Sequence, residues 1–176
     1  MESPWVTDFK ENALYRIDES TRMITIAFQK IDDTQVWQRP NHSSNSLGNQ
    51  ILHLCGNMTQ YVISSLGEKE DARDRDAEFD AIDGYTKEML LEQITVTVKE
   101  VKNTIQNATE GQLLKKRNVQ GFHFSGMGGV IHAVEHYSYH TGQIAFWIKT
   151  LVNSPLGFYD GLDLTVKNDE DFKNNI

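Results

Sequence analysis

Apolar residues recur at helical spacing in four long stretches of this chain, and that pattern limits the folds open to it more than any other feature. In residues 7 to 31, Phe9, Ala13, Ile17, Ala27 and Phe28 keep a period near 3.6, with Met23 or Ile24 between them. A polar break follows, DDTQVWQRPNHSSN, in which Pro40 disfavours helix at Arg39. Ser43, Ser44, Asn45 and Ser46 offer N-caps for a second helix over 47 to 66. The stretch GEKEDARDRDAEFDAIDG is too charged for a core and reads as a surface connection. A third helix is expected over 85 to 108, although the β-branched run ITVTV lowers its propensity. Residues 109 to 124 carry Gly111, Gly121 and the alternating NVQGFHF, a turn or short hairpin leading into a fourth helix over 127 to 152. Asn153, Ser154 and Pro155 stop that helix. Amphipathic helices must bury their stripes against one another. Four of them, joined by connections longer than minimal hairpins, predict an all-α fold, an antiparallel four-helix bundle. Residues 1–152 form the bundle domain in this reading. Residues 153–176 are a C-terminal extension of the same domain, with a loosely held polar end, NDEDFKNNI.

At 176 residues the chain is long enough for one domain with a hydrophobic core and too short for two comfortable ones. The sole cysteine, Cys55, excludes an intramolecular disulfide, and the start MESPWVTDFKEN lacks the basic head and apolar run of a signal peptide. A cytoplasmic setting is expected. No window approaches a membrane span. A formal net charge of -8 repels nucleic acid and anionic lipid, which leaves small molecules and proteins as partners.

The fourth helix contains HAVEHYSYHTGQ, residues 132 to 143, with histidines four apart. At about 100° per residue, His132, His136 and His140 share one stripe with Gln143 and Trp147. Val130, Ile131, Val134, Tyr137, Ala145, Phe146 and Ile148 surround the rest of the helix, so it is expected to be buried on most sides, with Phe146 and Trp147 in the core. Stacked buried imidazoles need partners: a metal ion, neighbouring helices or the edge of a solvent cleft. Neighbours four apart rise by about 6 Å and can close round one ion, whereas the outer pair is about 12 Å apart. With metal–nitrogen distances near about 2.1 Å, all three cannot share one ion, so a site needs an adjacent pair and a ligand from another helix. His42, His53 and His123 remain, and only His53 sits well inside a helix. It lies off the apolar stripe of Leu47, Ile51, Leu54, Met58 and Tyr61, on a strip with Ser46, Gln50, Asn57 and Gln60. That strip is either the solvent side or the wall of a polar cleft.

Residues 132 to 136, HAVEH, also match H-x-x-E-H, the inverted zinc peptidase pattern in which Glu135 would be the general base. Three fixed letters are weak support. Such enzymes need an acidic third ligand well downstream in a large domain, and only residues 137 to 176 remain.

A fuller match lies elsewhere. HYSYHTGQIAFW resembles the closing motif of the DinB-like superfamily of bacterial four-helix bundles, where H-x-x-x-H followed by G-Q-[IV] supplies two metal ligands. Here those positions are His136 and His140, followed by Gly142, Gln143 and Ile144. A tryptophan and proline precede the Ser-rich start of the second helix, and LGNQILHLCGNM is similar to the segment carrying the third ligand, which falls on His53. RDRDAEF, Arg73 to Phe79, resembles a segment of a subgroup of unknown function.

The resemblance implies a three-histidine site on the inner side of the bundle, with open positions for water or substrate. All-imidazole ligation suits a divalent ion such as zinc, nickel, iron or manganese. Characterised members of the superfamily include transferases and an isomerase that use low-molecular-weight thiols, and hydrolases have been proposed. The expected function is therefore that of a metal-dependent enzyme, of transferase or hydrolase type, in which the ion activates a thiol or water towards a small-molecule substrate. The alternative is a non-catalytic metal- or ligand-binding bundle acting through a partner. Asn57, Glu135 and Gln143 are candidates to fix the imidazole tautomers, and packing or simple capping of polar surface accounts for them equally well. His132 need not be a ligand. Cys55 reads as a small core residue. Arg73 and Arg75 read as part of a solvated loop, or as overhanging the cleft to bind an acidic group. Relatives are often homodimers, and the resemblance extends that expectation here.

Overall fold

The computed structural model describes residues 2–168, so the polar end expected to be loosely held falls almost wholly outside the described residues. Four long helices make the framework: α1 (Pro4–Phe28), α3 (Leu47–Met58) with its continuation, α5 (Lys87–Asn107) and α7 (Gly126–Val152). Short helices α2 (Asp33–Val36), α4 (Arg75–Asp80) and α6 (Glu110–Leu114) sit in the connections. Strands β1 (Lys116–Val119) and β2 (Phe122–Ser125) pair antiparallel, Val119 opposite Phe122, as the hairpin that NVQGFHF allowed. No helix among the described residues is long and apolar enough to cross a membrane.

Each long helix starts where its chemistry dictates. Pro4 occupies the first turn of α1, where its missing N–H costs nothing. Ser46 caps α3 through a buried reciprocal pair with Asn49, and Thr86 and Ser125 cap α5 and α7. The run ITVTV stays helical because Ile94 and Val98 belong to the buried stripe of Leu90, Ile94, Val98, Val101 and Ile105. Tertiary burial overrides the weak propensity. Asn153 ends α7 in the left-handed region, and Leu156 and Phe158 then turn back onto α1, where Arg22 Nη1 donates to the Phe158 carbonyl at 2.8 Å.

Packing runs in a ring, α1 on α7, α7 on α3, α3 on α5 and α5 on α1. Direction follows from which residues meet. Along the α3–α7 contact His53 reaches His136 and Asn57 reaches His132, so those helices are antiparallel; Lys10–Gln106 and Asp18–Lys102 contacts make α1 and α5 antiparallel as well. The pairs α1/α7 and α3/α5 run parallel, which the long 67–86 connection permits by crossing the bundle.

After Met58 the second long helix continues as a π-helix, Thr59–Leu66. Its wider turn keeps Tyr61, Val62 and Leu66 buried.

One core expectation is corrected. Phe146 is 74 % exposed and Trp147 half-buried, because the inward face of α7 from its middle onward is taken by Tyr137, Thr141, Ile144 and Ile148. Ile144→Ala should therefore cost about 2–5 kcal/mol in urea denaturation, and Phe146→Ser should change stability by less than about 0.5 kcal/mol. Equal costs at the two positions would mean the face of α7 is wrongly assigned.

Candidate metal centre

Where α3 and α7 pass each other, His53, His136 and His140 bring a ring nitrogen each to within 4.8 Å of the others. The antiparallel crossing does this: residues rising along α3 meet residues falling along α7, so His53 lands between two histidines one turn apart. His53 Nε2 lies 3.2 Å from His136 Nε2, and the His53 ring centroid is 4.9 Å from that of His136 and 5.1 Å from that of His140. His132 stands outside the trio. It stacks on Tyr61 at 3.9 Å and meets Asn57 Nδ2 through Nε2 at 3.3 Å.

The strip of α3 that carries His53 is the wall of a polar cleft. His53 is 7 % exposed, and Gln50 and Asn57 are buried beside it. A buried imidazole at this position needs an orienting partner, and the connection to α5 supplies one. Glu78, on α4 and 7 % exposed, accepts from His53 Nδ1 at 2.9 Å. A carboxylate on Nδ1–H fixes the tautomer and leaves the Nε2 lone pair directed at His136 and His140. Arg73 completes the arrangement: Nε donates to Glu78 Oε1 at 2.6 Å, Nη2 to Oε2 at 2.7 Å and Nη1 to Gln60 Oε1 at 2.9 Å. Burial pushes the Glu78 carboxyl up, but the hydrogen bonds from Arg73 and His53 and the guanidinium charge outweigh it and hold the group below its ordinary value. Glu78 is therefore a carboxylate paired on both oxygens, not an unpaired buried charge.

Gly56 makes this geometry possible. It lies one turn beyond His53, and a Cβ there would come to 1.8 Å from Glu78 Oε1 and 2.9 Å from Arg73 Nε. Glu78 can reach His53 only over a bare helix surface.

Electrostatics keeps the ligand lone pairs free. Burial, helped by the neighbouring imidazoles and the Arg73 charge, pushes His136 down to about 3, and burial with His53 takes His140 down to about 4. Both rings are neutral at pH 7, the form that binds metal. Ring nitrogens that share one ion tetrahedrally at about 2.1 Å sit about 3.4 Å apart, so the His53–His136 pair already has the required spacing. His136 Nδ1 and Asn57 Oδ1 are buried without a hydrogen-bond partner among the described residues, each at a cost of about 1–3 kcal/mol. Two neutral imidazoles, a third oriented by a carboxylate, and unsatisfied polar atoms beside them fit a divalent ion.

The other sequence candidates divide. Gln143 is half-buried and its hydrogen bond favours the protonated form of His140, whose Nδ1 lies 3.4 Å from Gln50 Oε1. Asn57 sits one turn beyond His53 and holds His132. Glu135 is exposed, on the side of α7 that faces Arg16 of α1; its charge acts on His132, but the structure does not bring it to the trio. His42 is exposed, and the exposed His123 pairs with Asn118 in the hairpin at 2.8 Å. Burial raises the Cys55 thiol to about 12, which keeps it a core residue. Arg73 departs from the solvated-loop expectation: its side chain is buried and committed to Glu78, so it is not free for an acidic substrate. Arg75 lies over Phe79 at 4.7 Å, and Phe79 in turn packs against His53. Glu78 was missed because it sits in a highly charged connection; the available signal was RDRDAEF itself, whose Asp74 caps α4, together with Gly56 on the polar side of α3 one turn from His53.

A family model described as protein of unknown function (DUF1572) matches residues 5–157. The chain belongs to that family. Its fold is that of the DinB-like proteins. A DinB-like protein from Bacillus subtilis aligns with TM-score 0.62 at 14% identity, covering 80% of this chain and 91% of that one. A conserved protein from Enterococcus faecalis gives 0.70 at 12%, covering 88% and 99%, and a DinB-like protein from Bacillus cereus gives 0.61 at 13%, covering 82% and 91%. At these identities the likeness concerns the fold. Among curated proteins none matches the sequence significantly.

The histidine shifts set a pH dependence. In the unfolded chain His136 and His140 take protons near 6.5, whereas in the fold they resist to about 3 and about 4. The unfolded state thus binds more protons across that window, and metal-free protein should lose stability as pH falls from 6.5 towards 4. Glu78 adds to the loss at the acid end, because its stabilising contribution disappears as pH falls through its lowered value. Urea midpoints that stay constant between pH 6.5 and 4.5 would contradict the buried neutral histidines.

Proposed function

We propose that this chain is a metal-dependent enzyme in which His53, His136 and His140 hold one divalent ion, zinc, nickel, iron or manganese. The observation that carries the reading is the His53–Glu78–Arg73 arrangement. A carboxylate that orients an imidazole, and is itself neutralised by a buried guanidinium, fits a ligand whose lone pair has to point in one direction. A divalent ion bound by three imidazoles supplies a Lewis acid with open positions, able to lower the pKa of a low-molecular-weight thiol or of water.

The remaining work falls to the chain. Glu78 holds the proton on His53 Nδ1, and burial keeps His136 and His140 unprotonated. Asn57 and Tyr61 hold the half-buried His132 beside His136, one helical turn from the trio, in reach of a proton-exchange role. Transfer of a thiol to a small molecule and hydrolysis are the two reaction types this chemistry serves. A homodimer acting on a small-molecule substrate completes the proposal.

Metal content separates this from a bundle that works without a catalytic ion. Mass spectrometry on untagged protein should give roughly one equivalent of divalent metal, abolished in His53→Ala and His136→Ala. Glu78→Gln should keep the fold and weaken metal affinity by about 10- to 100-fold. No metal in the wild type after incubation with zinc, nickel, iron and manganese at neutral pH would overturn the proposal.

A further inference from the structure

A cleft of about 720 Å³ opens beside the histidine cluster, between the 40–45 loop and the outer face of α7. The size is ordinary for a small-molecule site. It ends at the metal centre: Gln50 and Gln143 both line it, and Gln50 Oε1 is the group facing His140 Nδ1. We infer that this cleft binds an uncharged small molecule carrying a flat ring, seated on the aromatic wall with its polar end towards Gln50 and His140. The inference rests on the metal centre proposed above for its chemical meaning, but not for the binding itself.

Three independent features support it. Phe146 and Tyr139 are 74 % and 62 % exposed, two turns apart on the solvent-facing side of α7, and the half-buried Trp147 lines the same cleft with its indole N–H donated to the Gln38 carbonyl at 3.3 Å. Fixed aromatic faces bordering a polar cleft present stacking surface at low entropic cost. Gln50 is 7 % exposed as a residue and lines the cleft; its oxygen faces His140 while its amide nitrogen makes no hydrogen bond among the described residues and is open to the cleft as a donor. Gly142 sits in mid-helix, where glycine costs about 1 kcal/mol, and a Cβ there would meet nothing within 4 Å. No protein packing requires that glycine; it leaves the cleft floor bare. Charge selection follows from the wall, which contains no Asp, Glu, Lys, Arg or His. An ion entering it would lose hydration with no charged side chain on the wall to replace it.

Benzamide, benzoate and benzylamine present one ring with a neutral, an anionic and a cationic end, and their binding to the full chain can be followed at the Trp147 indole in ¹H–¹⁵N spectra. Benzamide should shift that signal saturably, with the two ions at least about tenfold weaker. Gly142→Leu, whose Cβ has open space, and Phe146→Ser should each abolish the shift, while the rest of the spectrum and the metal content match wild type. Absence of a benzamide shift, equal or tighter binding of either ion, or benzamide binding that survives Gly142→Leu would overturn the inference. Metal content measured on the same samples keeps the two ideas apart, since a metal-free protein that still binds benzamide at Trp147 loses the proposed catalytic ion and retains the cleft.

Discussion

The buried carboxylate of Glu78 holds the site together. It accepts from His53 on one side and from Arg73 on the other, and it joins α3 to the 67–86 connection at the point where α3 also meets α7. Without it, His53 would be an unanchored imidazole in a helix wall, Arg73 a buried cation without its counter-charge, and α4 a short helix with little reason to dock. Each of these is costly in a low-dielectric interior, and the three-way arrangement of His53, Glu78 and Arg73 removes all of them at once. Asn49 reinforces the same docking, its amide donating to the carbonyls of Glu78 and Ala81 at 3.0 and 2.7 Å while its oxygen completes the Ser46 cap.

That dependence explains why the bundle adopts its crossing topology. A minimal hairpin after the second long helix would return the chain antiparallel beside it, leaving no segment to cover the polar strip of His53. The long connection instead passes over that strip and delivers the third long helix parallel to the second. The charged connection is part of the site, and its length is what lets one carboxylate reach the bundle wall.

Much of this was legible in the residues. Helical periodicity located all four long helices to within a few residues, because burial of a continuous stripe dictates both pattern and length. The antiparallel packing expected of the bundle holds for α1/α5 and α3/α7; that α1/α7 and α3/α5 run parallel was not legible, since a stripe says that a helix packs but not which way its neighbour runs. The spacing of His136 and His140, with the resemblance to DinB-like proteins, singled out the histidines that meet His53. Phe146 was misplaced because α7 is apolar nearly all round, which erases the difference between the face that packs and the face that lines a cleft. Arg73 and Glu78 escaped for the opposite reason. In composition they look like solvated surface, and only their mutual neutralisation, a property of two side chains in space, allows them inside.

The placement of Gly56 ties these observations to a single cause. A helix position that faces a neighbour usually gains by carrying a methyl group, and glycine there loses both contacts and helix propensity. Here the missing methyl is the space that Glu78 Oε1 and Arg73 Nε fill. The destabilisation is thus incurred in α3 and offset in the ion pair that orients His53. Just beyond, the switch to a π-helix at Thr59 sets the register so that Gln60 still reaches Arg73 and Tyr61 turns under His132. Two departures from ideal helix, one residue type and one hydrogen-bond pattern, fall within a few residues on the face that meets the histidines. Local sequence preference yields to a larger constraint there, as expected where a structure is shaped for a site and not for stability alone.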